Sequence, residues 1–455
     1  MPAKILIANR GEIALRIIRA CRELGMESVL VYSEADRDSL PVRLADEAIC
    51  IGPAPATKSY LKMDRLLAAA AISDADAMHP GYGFLSENAH FAEICEHCNY
   101  RFVGPSSEAI KSMGNKNRSR EIMKAAGVPV TPGSDGKVTT LSEARDWARE
   151  LGYPVMLKAA IGGGGKGMRQ VFDEADLPMA FESAQQEIRQ AFASEELLVE
   201  KLILNPKHVE VQLLADKSGN IIHLGDRDCS LQRRHQKVVE EAVCPCLDAD
   251  TRAAICDAAV LAAKTVNYTN AGTVEFLLAP DGKFYFMEMN TRIQVEHPVT
   301  EEVTGVDIVR NQLLVAFGEK LTHRQRDVKI KGHAIEMRIN AEDAEHGFAP
   351  SPGTVKFYSA PGGPGVRVDS HVCTGAVIPP YYDSLLAKLV VHASTREEAI
   401  SRARRAIREF EIDGLVTNIG FISQLLDMQS FVDGTYDVSS VNGFIEEKFG
   451  QKAGR

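Results

Sequence analysis

The 455 residues include a single tryptophan, and aromatic residues make up only 6% of them. No apolar run is long enough to span a bilayer, and the chain shows no N-terminal signal pattern. The expectation is a cytoplasmic protein without membrane segments. A surplus of positive charge is also missing: 52 Lys and Arg stand against 62 Asp and Glu, a net charge of −10. A general nucleic-acid binder needs a basic stripe, so that class is disfavoured and any anion site must be local. The nine cysteines are odd in number and scattered through a chain too large to need staples. Cys95 and Cys98 have CxxC spacing, but no second pair accompanies them and a zinc site is not implied. Cys244-Pro-Cys246 gives only weak support to redox chemistry. Internal repeats and low-complexity segments are absent. What is present, 45% apolar and 25% charged residues, is ordinary globular composition, and the length implies two to four domains.

Strand and helix patterns alternate over residues 1–115. Lys4–Ala8, Ser28–Ser33, Ala48–Ile51, Ala75–Met78 and Phe102–Val103 read as strands, and Glu12–Leu24 as a helix. Such alternation predicts an open parallel α/β domain. Residues 116–204 form an α+β region with a mobile lid over about 133–203. Residues 205–330 are mainly antiparallel, and 331–446 form a further, mainly antiparallel C-terminal domain. The fold class is a multidomain mixture of α/β and α+β.

The densest chemistry lies in Met287-Glu-Met-Asn-Thr-Arg-Ile-Gln-Val-Glu-His-Pro-Val299. In an extended strand alternate side chains share a face. Glu288, Asn290, Arg292, Gln294 and Glu296 then line one face, with mostly apolar residues on the other. A two-residue Asp281-Gly282 loop places Glu275 opposite Glu288 across a hairpin. Like charges so placed repel unless a cation lies between them. Two carboxylates and an amide suit Mg²⁺ or Mn²⁺ with substrate phosphates. The bland alternative is a solvated pair of glutamates.

Gly162-Gly-Gly-Gly-Lys-Gly167 follows the strand Tyr153–Lys158 and precedes the strand Met168–Phe172. Neither a dinucleotide fingerprint nor a P-loop fits, because no helix follows and Met168 stands where Ser or Thr would be needed. A glycine-rich strand–loop–strand can close backbone N–H groups over phosphate, with Lys158 and Lys166 adding charge. A flexible surface loop is the alternative. Gln232, Arg233, Arg234, His235 and Lys237 form a second polar cluster, suited to polyphosphate or ribose or simply a solvated face. Arg338 alternates with apolar residues and should face inward, where Glu336 is the simplest partner.

Taken together, these segments resemble the biotin carboxylase subunit or domain of biotin-dependent carboxylases, within the ATP-grasp superfamily. The similarity runs essentially end to end. It rests on Ile7–Glu12, His79–Asn88, the glycine loop, Arg227–Lys237, Glu288–His297 and Pro379–Ser384. The resemblance implies that ATP and bicarbonate form carboxyphosphate, which carboxylates biotin on a carrier protein. It places Lys116, Lys158, Gly162, Gly163, Gly164, Gly165, Lys166, Gly167 and Met168 on the phosphates. Glu200, Lys201 and Ile203 would meet the adenine, and His208, Gln232 and His235 would surround the ribose and phosphates. Lys237 would stabilise the phosphoryl group in flight. Glu275, Glu288 and Asn290 would hold two Mg²⁺ or Mn²⁺ ions. Arg292, Gln294 and the Val295 backbone would bind bicarbonate, Glu296 would deprotonate it, and Arg338 would stabilise the biotin enolate, with Tyr82 also at the biotin and bicarbonate site. Lys166 stands where the family also uses Arg, and Cys244-Pro-Cys246 is unusual at its place.

No Met-Lys-Met biotinylation motif is present, and there is no room for a carboxyltransferase domain. The expectation is a stand-alone subunit that serves a separate biotinylated carrier and a carboxyltransferase subunit. The family often forms homodimers. Acetyl-CoA, propionyl-CoA and pyruvate remain equal candidates for the downstream acceptor. Two alternatives compete: another ATP-grasp ligase joining a carboxylate to an amine, and a non-catalytic nucleotide-binding subunit. The second predicts a missing metal ligand or base, whereas Glu275, Glu288, Asn290, Arg292 and Glu296 are all there.

Overall fold

Short apolar strands separated by helices build the first layer. In the computed structural model, which describes residues 2–134, 136–159, 168–192 and 195–450, these strands are β1 (Lys4–Ile7), β2 (Glu27–Ser33), β3 (Glu47–Gly52), β4 (Ala77–His79) and β5 (Arg101–Phe102). They pair in parallel in the order β3-β2-β1-β4-β5. The helix Gly11–Glu23 begins and ends one residue before its expected bounds. Its Ile13, Ala14, Ile17, Ile18 and Cys21 recur at helical spacing and pack against Ile5 and Ile7.

The chain forms two compact units: Met1–Ser112, Lys207–Glu275 and Met289–Arg455 in one, Met113–Pro206 and Phe276–Glu288 in the other. The second unit holds β6 (Val155–Ala159), β7 (Arg169–Val171) and β8 (Leu197–Lys201), antiparallel in the order β7-β6-β8. Alternate residues Val155, Leu157, Leu197 and Val199 bury against Ala144, Ala148, Phe181, Ala184 and Ile188 of two helices. The glycine loop of residues 162–167, expected to cover phosphates, lies outside the described residues.

The strands β9 (Lys207–Ala215), β10 (Ile221–Arg233), β11 (Gln236–Ala242), β12 (Asn270–Leu278), β13 (Phe284–Asn290) and β14 (His333–Asn340) belong to an eight-stranded sheet. Three two-stranded ribbons follow: β15 (Glu342–Asp343) with β16 (Ala349–Pro350), β17 (Gly353–Thr354) with β20 (Val377–Ile378), and β18 (Phe357–Ser359) with β22 (Glu411–Asp413). β19 (Val366–Ser370) and β21 (Leu385–Ala393) complete the large sheet, in the order β13-β12-β9-β10-β11-β14-β21-β19.

Two expectations for the central hairpin change. Its loop has three residues, not two: Ala279 N–H donates to Lys283 O (2.8 Å) and Gly282 N–H to Ala279 O (3.0 Å). Gly282 takes φ 83°, the left-handed value that this bulged turn demands. Counting back from the turn no longer sets Glu275 directly opposite Glu288. In addition, β13 stops at Asn290, so Thr291–Glu296 is not the continuation of a strand.

One buried carboxylate ties the C-terminal third to the sheet. Glu241 on β11 accepts from His333 Nε2 (2.6 Å), Arg396 Nε and Nη2 (both 2.8 Å) and the Tyr436 hydroxyl (2.7 Å). Burial alone would raise its pKa, but these donors hold it down to about 2. In the unfolded chain a glutamate titrates near ~4.3. The stabilisation is therefore complete above that value and disappears as pH falls through it towards about 2. Glu241→Gln should cost about 3 kcal/mol at pH 7, since it leaves buried cationic donors unmatched. Urea unfolding at pH 7 and at pH 3 tests this, and the gap between wild type and variant should narrow at the lower pH.

Candidate active site

The first unit builds its site around a guanidinium that the sequence reading passed over. Arg227 on β10 is fully buried. Its Nε donates to Glu210 (2.6 Å), Nη1 to Gln212 (2.8 Å) and Thr300 (2.9 Å), and Nη2 to Thr273 (3.2 Å) and Gln294 (2.6 Å). Every guanidinium hydrogen is matched, as a desolvated cation requires. The bond to Gln294 Oε1 turns that amide so that its Nε2 donates to Glu275 Oε1 (2.7 Å).

Lys237 is the hub of the carboxylates. Its ammonium lies 2.7 Å from Glu210, 3.2 Å from Glu275 and 2.5 Å from Glu296. Glu275 also takes Asn290 Nδ2 (2.8 Å) and lies 3.0 Å from His208 Nε2. Burial would raise the Glu275 pKa, but the Lys237 ammonium and His208 hold it well below the usual carboxylate range. Arg338 Nη2 donates to the second oxygen of Glu296 (3.0 Å), and its Nε to Glu240 (2.5 Å). Against burial, Lys237 and Arg338 hold Glu296 below its ordinary value, so it is ionised at neutral pH.

Arg338 is inward-facing as expected, but its partners are Glu240 and Glu296 rather than Glu336. Glu336 sits fully buried with neither carboxylate oxygen hydrogen-bonded among the described residues. Burial pushes its pKa well above the normal range, so it is protonated. An uncharged acid is the cheaper form beside Glu240, its cross-strand neighbour.

Arg292 lies at the rim. Its Nη2 donates to Asn290 Oδ1 (2.9 Å) and its Nε to Glu87 (3.2 Å), which also accepts from Thr291 N–H (3.1 Å). Tyr82 donates to the buried Glu12, and Lys388 Nζ reaches both Glu12 (3.1 Å) and the Val295 carbonyl (3.0 Å). The fully buried Lys388 thus fixes the backbone at Val295. Arg292, Gln294, Glu296 and Asn290 do converge, by an irregular segment rather than by strand alternation.

Gln232 and Lys237 face each other across the β10–β11 hairpin, and Arg233 pairs with Gln236. The two-residue loop is Arg234-His235, with φ of 48° and 64°. Neither residue is glycine, so the turn stores strain of order 1 kcal/mol or more per residue. Both side chains are exposed.

In the second unit Lys116 Nζ lies 3.0 Å from Glu288, and Lys158 Nζ donates to Glu200 (2.5 Å). Lys201 Nζ donates to the carbonyls of Gly152 (2.8 Å) and Tyr153 (3.1 Å). Met168 and Ile203 are half-buried outside the strands. Glu275 and Asn290 in the first unit, and Glu288 in the second, carry the oxygen donors that a hard divalent cation takes. Both carboxylates are now neutralised by side-chain cations, the charge such an ion would supply.

Glu12, Glu87, Glu210, Glu240, Arg227 and Lys388 were not anticipated. A signal for some was available: His208, Glu210 and Gln212 alternate within a strand that is buried throughout. Lys388 is likewise a lone cation in an apolar run.

Comparison with known proteins identifies the family. Three family profiles tile the chain: biotin carboxylase N-terminal domain over residues 1–110, carbamoyl-phosphate synthase L chain ATP binding domain over 115–324, and biotin carboxylase C-terminal domain over 336–443. A biotin carboxylase of Nostoc sp. is 55% identical over 438 residues, covering 96% of this chain and 98% of that protein. The crystal structure of a Campylobacter jejuni biotin carboxylase in a nucleotide complex superposes with a TM-score of 0.91 at 48% identity, covering 96% and 98% of the two chains. The biotin carboxylase domain dimer of Hydrogenobacter thermophilus 2-oxoglutarate carboxylase, with MgADP, ADP and bicarbonate, gives 0.90 at 47% identity, covering 100% and 99%. The fold is that of the ATP-grasp carboxylases, and the chain belongs to the biotin carboxylase family.

Proposed function

We propose that this chain carboxylates biotin with ATP and bicarbonate, and that Glu296 is the base of the reaction. The observation that carries the assignment is the carboxylate of Glu296, ionised and gripped by Lys237 on one oxygen and Arg338 on the other. A group that must accept a proton has to be unprotonated at working pH. Bicarbonate is a poor nucleophile, and removing its proton makes it a better one. Arg292, at the mouth of the same segment, presents a planar guanidinium to a planar anion.

Lys237 would turn from Glu296 to the phosphoryl group as it leaves ATP, where a positioned cation stabilises most. Lys116 and Lys158, with the glycine loop and Met168, would grip the nucleotide phosphates. Glu200, Lys201 and Ile203 would meet the adenine, and His208, Gln232 and His235 the ribose and phosphates. Glu275, Glu288 and Asn290 would hold two Mg²⁺ or Mn²⁺ ions, whose positive charge would neutralise the phosphate oxygens. Arg338 would stabilise the enolate of biotin, with Tyr82 fixed near it by Glu12. The partners of this reading are a biotinylated carrier protein, a carboxyltransferase subunit and a second copy of the chain, in the cytoplasm. Among the described residues no helix is long and apolar enough to cross a membrane.

ADP release from ATP, Mg²⁺ and bicarbonate should be strongly stimulated by free biotin. Glu296→Ala should lower the stimulated rate by about 10²–10⁴-fold, the usual worth of a general base. Turnover indifferent to biotin and bicarbonate would instead favour another ATP-grasp ligase. Arg338→Gln should separate the half-steps: bicarbonate-dependent ATP cleavage persists in part, while carboxybiotin formation, followed with labelled bicarbonate, is lost.

A further inference from the structure

Cys244 and Cys246 lie just past the end of β11 and take no part in the chemistry above. Their sulfurs are 3.4 Å apart. Cys244 is buried and its thiol points at Asp228 Oδ2 (3.2 Å), while Cys246 is exposed. The ammonium of Lys207 lies 3.0 Å from the same Asp228 oxygen and 3.7 Å from the centre of the Tyr436 ring. The three side chains Asp228, Cys244 and Cys246 would be a ligand set for a soft divalent ion. Lys207 argues against that use, because its charge already occupies the carboxylate and repels a second cation. The same charge favours a thiolate. Contact with the Cys244 sulfur, and then Lys207, hold the Cys246 thiol below its ordinary pKa, with burial opposing. An exposed sulfur of thiolate character beside a second, shielded sulfur is the arrangement of attacking and resolving cysteines.

We propose that Cys244 and Cys246 form a reversible disulfide on exposure to a peroxide, and that the state of this pair is felt at His208. The thiolate of Cys246 attacks one peroxide oxygen, and the O–O bond breaks. This leaves a sulfenic acid on Cys246 and a hydroxide that takes a proton to become water. The sulfur of Cys244 then attacks the sulfenic sulfur, the S–O bond breaks, and a second water departs with the proton that Cys244 gives up through Asp228. Two thiols and one peroxide become one disulfide and two waters.

The route to the active site is a chain of hydrogen bonds. Asp228 Oδ1 accepts from Ser230 Oγ (2.6 Å) and N–H (3.0 Å), and Ser230 Oγ accepts from His208 N–H (2.9 Å). Disulfide formation removes the Cys244 donor from Asp228 and loosens the anchor of Ser230 and His208. This half of the inference rests on His208 being a nucleotide contact, as proposed above.

The test uses the full chain, reduced and then exposed to hydrogen peroxide, alkylated and mapped by mass spectrometry. The expected product is a peptide linking Cys244 and Cys246, lighter by two hydrogens and restored by dithiothreitol. It should form before the exposed Cys50 and Cys98 are oxidised. The oxidised protein should show KM for ATP raised about ten-fold, the effect of losing one charge-assisted hydrogen bond. Cys246→Ser should keep its activity without peroxide and be insensitive to it. Oxidation of Cys50 or Cys98 while Cys244 and Cys246 stay free to alkylate would overturn the disulfide. A disulfide that leaves KM unchanged would overturn the coupling. The mapping needs no turnover, so failure of the carboxylase reading itself would show separately, as a reduced protein without biotin-stimulated ATP cleavage.

Discussion

Five hydrogen bonds to one buried guanidinium organise the catalytic half of this molecule. Arg227 joins β9 through Glu210 and Gln212, β12 through Thr273, the helix His297–Thr304 through Thr300, and the irregular segment through Gln294. A desolvated cation leaves little freedom, because every unmatched N–H would cost the full loss of its hydration. The elements that carry Glu275, Gln294 and Glu296 are therefore located relative to one another before any substrate arrives. Glu210 shares its charge between Arg227 and Lys237, so the two buried cations are linked through a single carboxylate.

Around that anchor the site holds more acids than a dry interior tolerates as anions. The solution differs from one acid to the next. Glu275 and Glu296 stay ionised because cations touch them. Glu336, within the same row of strands but without a hydrogen bond among the described residues, keeps its proton. Glu240 lies between these limits: burial lifts its pKa to about 7, with Arg338 opposing. The difference of environment, not of residue type, decides which carboxyl can act as a base.

The strand–helix alternation of the first hundred residues and the concentration of polar side chains in Glu288–Glu296 were legible because both are local patterns. Strand alternation accounts for only part of the second pattern. Strand periodicity holds only to Asn290, and beyond it tertiary bonds to Glu87, Arg227 and Lys237 do the converging. Partners far apart in sequence are invisible to spacing. Arg338 reads as a cation needing an anion, but the choice of Glu240 and Glu296 over Glu336 depends on which strands become neighbours. The hairpin loop misled for a simpler reason: Pro280 extends the turn by one residue, and a one-residue slip changes every partner.

The pairing of β11 with β14 bears on where such a chain can be divided. The profile matches break near residue 330, as though a finished module ended there. The sheet does not end there. Residues 334–337 of β14 lie along Ala242, Glu241, Glu240 and Val239 of β11, in that order. A fragment stopped at the profile boundary would expose that unpaired edge as a template for other chains. It would also lose Arg338 and leave Glu241 without its clamp. The segments matched by separate profiles are thus not independent folding pieces, because one sheet runs across the boundary between them.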